Sequence, residues 1–302
     1  MDRDPPPGRD SRPHNLELRF REALAHGEAS SVLRVADELL RAGDYKRGRD
    51  WLEQAWEALP SEPRIAVRLL EIHSRYHNWT RFDDVAREAL AAHAQTGELH
   101  FVVGSGYEAR QDWPRAWAAF GRAAELAPEE VEPVLRMARA YRLARRPEDA
   151  VRVLARALKR HKKAAPLHAA LGYAWIQAEQ APKAIQCFER AVDLQPDWDP
   201  YLDDLAGALM LCERWAEAAR VAQVSLLKRK RNERAWTVYA IAHSNLGNAA
   251  HAEQGYRNFG IFLAKLPERL LEAVRYLREA QEAHPDWTEV NERLERLLQA
   301  DG

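Results

Sequence analysis

Cysteine is nearly missing from this chain: among 302 residues there are two, Cys187 and Cys212. Two thiols cannot form a disulfide framework and suit a reducing compartment, and both fall in helix-like stretches, where cysteine acts as a small apolar filler. Long apolar runs are missing too, since nothing approaches the ~18 residues that a spanning helix requires. Charge of one sign is missing: 45 Lys and Arg against 46 Asp and Glu leave a net charge of −1, so no global field recruits nucleic acid or an anionic membrane. The opening MDRDPPPGRDSRP has prolines and charges where a secretory signal would carry an apolar core, and a cytoplasmic location is the expectation. Motifs of catalysis are missing as well. There is no Gly-rich phosphate loop, no HExxH and no GxSxG, so neither an enzyme nor a cofactor is expected.

What is present is a period. The chain is 46% apolar and 30% charged, a balance fit for a large soluble structure. Apolar residues recur at spacings of three and four, as on one face of a helix. The clearest unit is 166–196, PLHAALGYAWIQAEQAPKAIQCFERAVDLQP, two short amphipathic helices joined by a polar turn. With Ala165 at position 1 of a 34-residue frame, Leu171, Gly172 and Trp175 stand at positions 7, 8 and 11. Ala184, Phe188, Ala191 and Pro196 stand at 20, 24, 27 and 32. Seven such frames tile 29–266 without insertion: 29–62, 63–96, 97–130, 131–164, 165–198, 199–232 and 233–266. Position 8 holds Ala36, Leu70, Gly104, Ala138, Gly172, Ala206 and Ala240, and position 20 holds Gly48, Phe82, Ala116, Ala150, Ala184, Ala218 and Ala252. Small residues there let two helices approach, while position 24 (Leu52, Phe120, Leu154, Phe188, Tyr256) supplies bulk.

This pattern resembles the tetratricopeptide repeat (TPR) family, whose signature is a large apolar residue, Leu-Gly and Tyr, then Ala, Phe, Ala and Pro at those places. The resemblance implies an all-α fold: a right-handed α-solenoid of seven helix–turn–helix repeats with helical N- and C-terminal caps. One helix pair cannot bury both of its apolar stripes, so each unit needs its neighbour. Residues 1–13 read as a disordered leader and 14–28 as an N-terminal capping helix, with Asn15 placed to cap it. Residues 267–302 read as C-terminal capping helices, the first starting at Pro267 and the last capped by Asp286 or Thr288. Position 17 repeats an aromatic, Tyr45, Trp79, Trp113 and Trp215, read as a plug over the turn. Unit 63–96 swaps sizes, with Phe82 at position 20 and Ala86 at position 24, and Phe82 is expected to take the space usually filled from position 24.

Chemistry has few places to reside. His73 and His77 are four residues apart, but no further ligand completes a metal set nearby, so no metal is expected. The acidic pairs Asp203-Asp204 and Glu129-Glu130 read as solvated surface, since adjacent helical residues diverge. The runs Lys159-Arg160-His161-Lys162-Lys163 and Lys228-Arg229-Lys230-Arg231 end second helices and offset their dipoles. Contact with RNA through them is the less favoured reading, given the neutral chain.

In the resembled family, positions 2, 5, 6, 9, 12 and 13 of the first helices line the inner surface. Here they carry Arg34, Arg41, Arg64, Arg68, Arg75, Arg136, Arg139 and Arg142, with Phe101 between and Tyr173 beyond. Guanidinium forks suit carboxylates, and aromatics suit apolar side chains. The expectation is a non-enzymatic adaptor that binds a peptide or helix of a partner protein, the peptide acidic or C-terminal, at Arg34, Arg64, Arg68, Phe101, Arg136, Arg139, Arg142 and Tyr173. Asp37, Glu71, Glu98, Glu108 and Glu132 share the surface and oppose that reading. The rival is a regulatory or substrate-recognition subunit of a larger enzyme, secretion or envelope-assembly complex.

Overall fold

A computed structural model describes residues 11–263 and 270–300. Every element among them is a helix. In chain order these are α1 (Ser11–Ala25), α2 (Ala29–Arg41), α3 (Tyr45–Ala58), α4 (Pro63–Arg75), α5 (Trp79–Ala92), α6 (Gly97–Ala109), α7 (Trp113–Leu126) and α8 (Glu132–Leu143). They continue with α9 (Pro147–Arg160), α10 (Ala165–Gln177), α11 (Ala181–Leu194), α12 (Asp199–Leu211), α13 (Trp215–Lys228), α14 (Glu233–Asn245), α15 (Ala249–Leu263), α16 (Leu270–Ala283) and α17 (Thr288–Ala300). The chain divides into two compact units between Arg145 and Arg146. Within each, helices pack against their sequence neighbours. The second helices α3, α5, α7, α9, α11, α13 and α15 start 34 residues apart, and the first helices keep the same spacing except α8, which starts one residue late.

A backbone device explains this regularity. Position 15 of all seven units has positive φ: Gly43, His77, Gln111, Arg145, Glu179, Glu213 and Gly247, at 56 to 86°. The left-handed residue ends the first helix, and the next N–H bonds back to the carbonyl at position 11. That bond joins Asp44 to Leu39, Asn78 to His73, Asp112 to Tyr107, Gln180 to Trp175, Arg214 to Leu209 and Asn248 to His243, at 2.8 to 3.0 Å. Asp44 and Asp112 then cap the next helix, accepting from the N–H of Arg47 and Arg115.

Side-chain packing completes the hairpins. At position 8, a Cβ on Gly104 would sit 2.8 Å from the Phe120 ring, and one on Gly172 would sit 2.7 Å from the Phe188 ring. The glycine at 8 and the phenylalanine at 24 are therefore a matched pair: the missing methyl is the seat of the ring. Phe82 is fully buried but takes a different place from the one its sequence suggested. It crosses to the following repeat and lies over Gly106 of α6, edge-on to Trp79 and Tyr107. A ring at position 20 points along the stack, whereas a ring at 24 turns back onto its own first helix.

The ends differ from the sequence reading in detail. The helix α1 begins at Ser11, so residues 11–13 are helical rather than leader, and Asn15 lies inside the helix rather than capping it. The remainder of the leader, residues 1–10, lies outside the described residues. Phe20 of α1 stacks on Trp51 at 4.6 Å, and Arg19 holds Glu38 through two 2.9 Å hydrogen bonds, closing that edge. At the other end Pro267 also lies outside the described residues; Ala273, Leu277 and Ala280 of α16 are buried beneath α17 and α15.

Candidate binding face

Within each compact unit, several neighbouring first helices are joined by polar pairs. Asp37 at position 9 of the first frame accepts from Arg68 Nε at position 6 of the second, at 2.8 Å. Tyr173 at position 9 of the fifth frame hydrogen-bonds Asp204 at position 6 of the sixth. Burial, then this acceptor, pushes the Tyr173 hydroxyl well above the usual phenol range. Asp204 in turn accepts from Arg234, position 2 of the seventh frame, at 2.8 Å. In these pairs position 6 meets position 9 of the helix before it and, at Asp204, position 2 of the helix after it, whereas Arg136 at position 6 of the fourth frame reaches Glu108 at position 12 of the third.

Several of the arginines expected to bind a ligand are engaged within the chain. Arg68 bonds both Asp37 and Glu71, the latter at 2.7 Å. Arg136 bonds Glu108, its Nε at 2.9 Å, with its guanidinium 5.7 Å from the Phe101 ring centroid and 5.6 Å from that of Phe120. Arg139 lies 3.6 Å from the same carboxylate but keeps most of its side chain exposed. Phe101 and Arg142 are half-buried. Tyr173 is turned edge-on against Phe188 within the second unit. Arg34 and Arg64 remain exposed. Arg64 has one loose contact, 3.6 Å to Glu62, and Arg34 has no carboxylate within ion-pair distance among the described residues. They occupy positions 6 and 2 of consecutive frames, the register that holds the Asp204–Arg234 pair further on.

The acidic pair Asp203-Asp204 corrects the reading of a solvated surface. Both are buried, at 4% and 5% exposure. The divergence of adjacent helical residues is real, but each direction leads into protein. Asp203 accepts from Ser225 at 2.7 Å, from Asn232 at 2.7 and 2.9 Å and from Arg229 at 3.2 Å. Asn232 also caps α14 through the N–H of Ala235. Part of the basic run following α13 is spent here: Lys228 donates to the Pro196 carbonyl, and Arg229 pairs with Asp199 at 3.0 Å as well as with Asp203. The signal for this cluster was Ser225, the one hydroxyl in a column that otherwise holds five alanines and Phe259.

His73 and His77 do not converge on one point. His73 is buried and 2.9 Å from Glu53, which Arg81 also grips, while His77 sits in the left-handed turn and stacks near Trp79. Burial pushes the Glu53 carboxyl up, but the hydrogen bonds from His73 and Arg81 overcome it and hold its pKa at about 2. Cys187 and Cys212 are both free thiols, and burial pushes Cys187 up to about 11. Tyr45 departs from its role as a turn plug. Trp79, Trp113 and Trp215 pack against the core, but Tyr45 is 45% exposed and meets Tyr76, itself 48% exposed, at 5.4 Å.

Residues 142–209 match the sequence profile of the tetratricopeptide repeat family. The 34-residue helix spacing extends beyond the matched segment in both directions. The chain has the fold of tetratricopeptide repeat proteins. Among curated proteins none matches the sequence. Solved TPR structures match the fold. The C-terminal part of a TPR repeat-containing protein from Cytophaga hutchinsonii gives a TM-score of 0.62 at 12% identity, over 81% of this chain and 99% of that one. Yeast Tom70 gives 0.56 at 16% identity, over 90% of this chain and 59% of that one. A tetratricopeptide repeat protein from Parabacteroides merdae gives 0.55 at 11% identity, over 93% and 99%. No helix among the described residues is long and apolar enough to cross a membrane.

Proposed function

We propose that this protein is a non-enzymatic adaptor that binds an acidic peptide segment of a partner protein on its first helices. The observation that carries the reading is the pair Arg34 and Arg64. A seam that elsewhere satisfies its arginine with a carboxylate of the chain here places two guanidiniums in the corresponding positions. Like charges at neighbouring sites are unfavourable until an anion sits between them, and a carboxylate accepts forked hydrogen bonds from arginine. Arg139, mostly exposed beside a carboxylate that Arg136 already occupies, is a further contact on the first helices. Arg68 and Arg136 act as struts between repeats that hold these helices in register. The second reading, contact with RNA through Lys228–Arg231, is weakened because two of its four cations are already bonded to the chain.

The test is a double substitution, Arg34→Glu with Arg64→Glu. Both side chains are exposed, so the thermal unfolding profile should stay that of the wild type. Capture of a partner from the native proteome, followed by mass spectrometry, should lose one class of protein, rich in Asp and Glu at the captured segment. Recovery of the same proteins by wild type and double variant would sink the reading. Retention of one large stoichiometric complex, indifferent to the substitution, would point to the subunit role instead.

A further inference from the structure

Arg41, Tyr45, Arg75 and Tyr76 form a second group that the proposed function does not use. They lie at the far ends of α2 and α4 and the start of α3, around an open depression of about 250 Å³ whose walls include Leu40 and Ile72. Tyr45 and Tyr76 are the two exposed aromatic residues within the described part of residues 11–145, and they adjoin, with ring planes inclined by 54°. Tyrosine faces offer a large, rigid contact at little cost in side-chain entropy. Arg41 and Arg75 are exposed on either side, and neither has a carboxylate within ion-pair distance among the described residues. The two acidic groups beside them are already committed, Glu71 to Arg68 and Glu38 to Arg19.

We infer that this depression is a docking site for a short peptide segment in which a carboxylate stands next to a proline, the ring packing on Tyr45 and Tyr76 and the carboxylate received by Arg41 and Arg75. The inference rests on the acidic-peptide reading and gives it a second, more selective contact. Size supports it: the space is below the ~300–1,000 Å³ of pockets that enclose whole small molecules, and fits one side chain with its neighbouring carboxylate. Proline suits the aromatic wall because an extended proline-containing segment is already stiff and loses little freedom on docking. A single-stranded nucleic acid would also stack on tyrosine, but it needs a continuous cationic track. Here the depression offers only two open arginines, Arg41 and Arg75, beside the paired Arg68 and Glu71, which is too short a track for a polyanion.

Fluorescence anisotropy on the full chain tests this with three labelled decapeptides: one containing alternating Asp and Pro, one with Ala for each Pro, and one with Asn for each Asp. The Asp-Pro probe should bind at least tenfold more tightly than either control. Tyr45→Ala with Tyr76→Ala should remove the advantage of proline over alanine, and Arg41→Ala with Arg75→Ala should remove the advantage of Asp over Asn. Arg41→Lys with Arg75→Lys should restore only part of it, because ammonium groups lack the fork. All these side chains are exposed, so unchanged thermal unfolding of each variant is the control. If acidic probes bind, depend on Arg34 and Arg64, and ignore the tyrosines, the docking site is refuted while the adaptor reading stands. If no acidic probe binds at millimolar concentration, both fall. Tighter binding of an oligouridylate, lost in the same variants, would also overturn the proposal.

Discussion

Glu53 in the first unit and Asp203 in the second are both carboxylates drawn into a helical stack, yet their company is different. Glu53 stands between two nitrogen bases, His73 and Arg81, and stays accessible along part of its length. Asp203 is almost closed off, and two of its three partners, Ser225 and Asn232, are neutral. One carboxylate is held by charge, the other by the geometry of hydroxyl and amide donors. The surface differs too: Asp204 and Arg234 neutralise each other, whereas the corresponding frame positions hold two arginines, Arg34 and Arg64. Repeats with one backbone can thus store a charge inside, cancel it between helices, or leave it exposed, and side-chain identity at a few positions decides which.

Breaking the Asp203 cluster should have the largest effect. Asp203→Ala removes the common acceptor of Ser225, Asn232 and Arg229 and strands buried donors, at a cost of about 3–5 kcal/mol. Urea denaturation measures it; a loss below about 1 kcal/mol would show that the cluster is not held as described. Glu53→Gln comes next and differs in its dependence on acid. The folded pKa of Glu53 is held at about 2 against an ordinary 4.5, so its stabilisation is present above pH ~4.5 and lost as pH falls toward 2. The glutamine variant should be less stable by about 2–3 kcal/mol at neutral pH and converge with the wild type near pH 2. A constant difference across that range would remove the charge-based account. The smallest effect is Arg34→Asp, which copies the Asp204–Arg234 arrangement into the first unit. Exposed pairs contribute roughly 0–1 kcal/mol, so stability should rise slightly or not at all, while binding of acidic probes should fall at least as far as with Arg34→Ala. Stronger acidic-probe binding by the aspartate variant would reverse the assignment of that seam.

The sequence made the repeats readable because a packing constraint recurs every 34 residues: Gly104 with Phe120, and Gly172 with Phe188, advertise a ring seated on a missing methyl. It did not reveal where Phe82 points, because positions 20 and 24 are both core and only the three-dimensional crossing shows which neighbour each faces. The turn was hidden for another reason. Five of its seven left-handed residues are not glycine, so the column at position 15 shows no common residue type although the backbone there is common. The proposed binding face was partly legible: cations on the first helices can be counted, but Arg68 and Arg136 find their acceptors one repeat away, at separations of 31 and 28 residues. Tyr76 carried no signal, since it falls just after a helix and outside the repeated apolar columns.

The seven matching left-handed turns have a consequence for how such a chain can change over time. When the bend is written into dihedral angles and a main-chain bond, the letters at the bend are free to drift, and a whole 34-residue block can be gained or lost while its neighbours find the same joint waiting for them. Length then becomes a quantity that selection can adjust in steps of one hairpin, independently of the few side chains that choose what is bound.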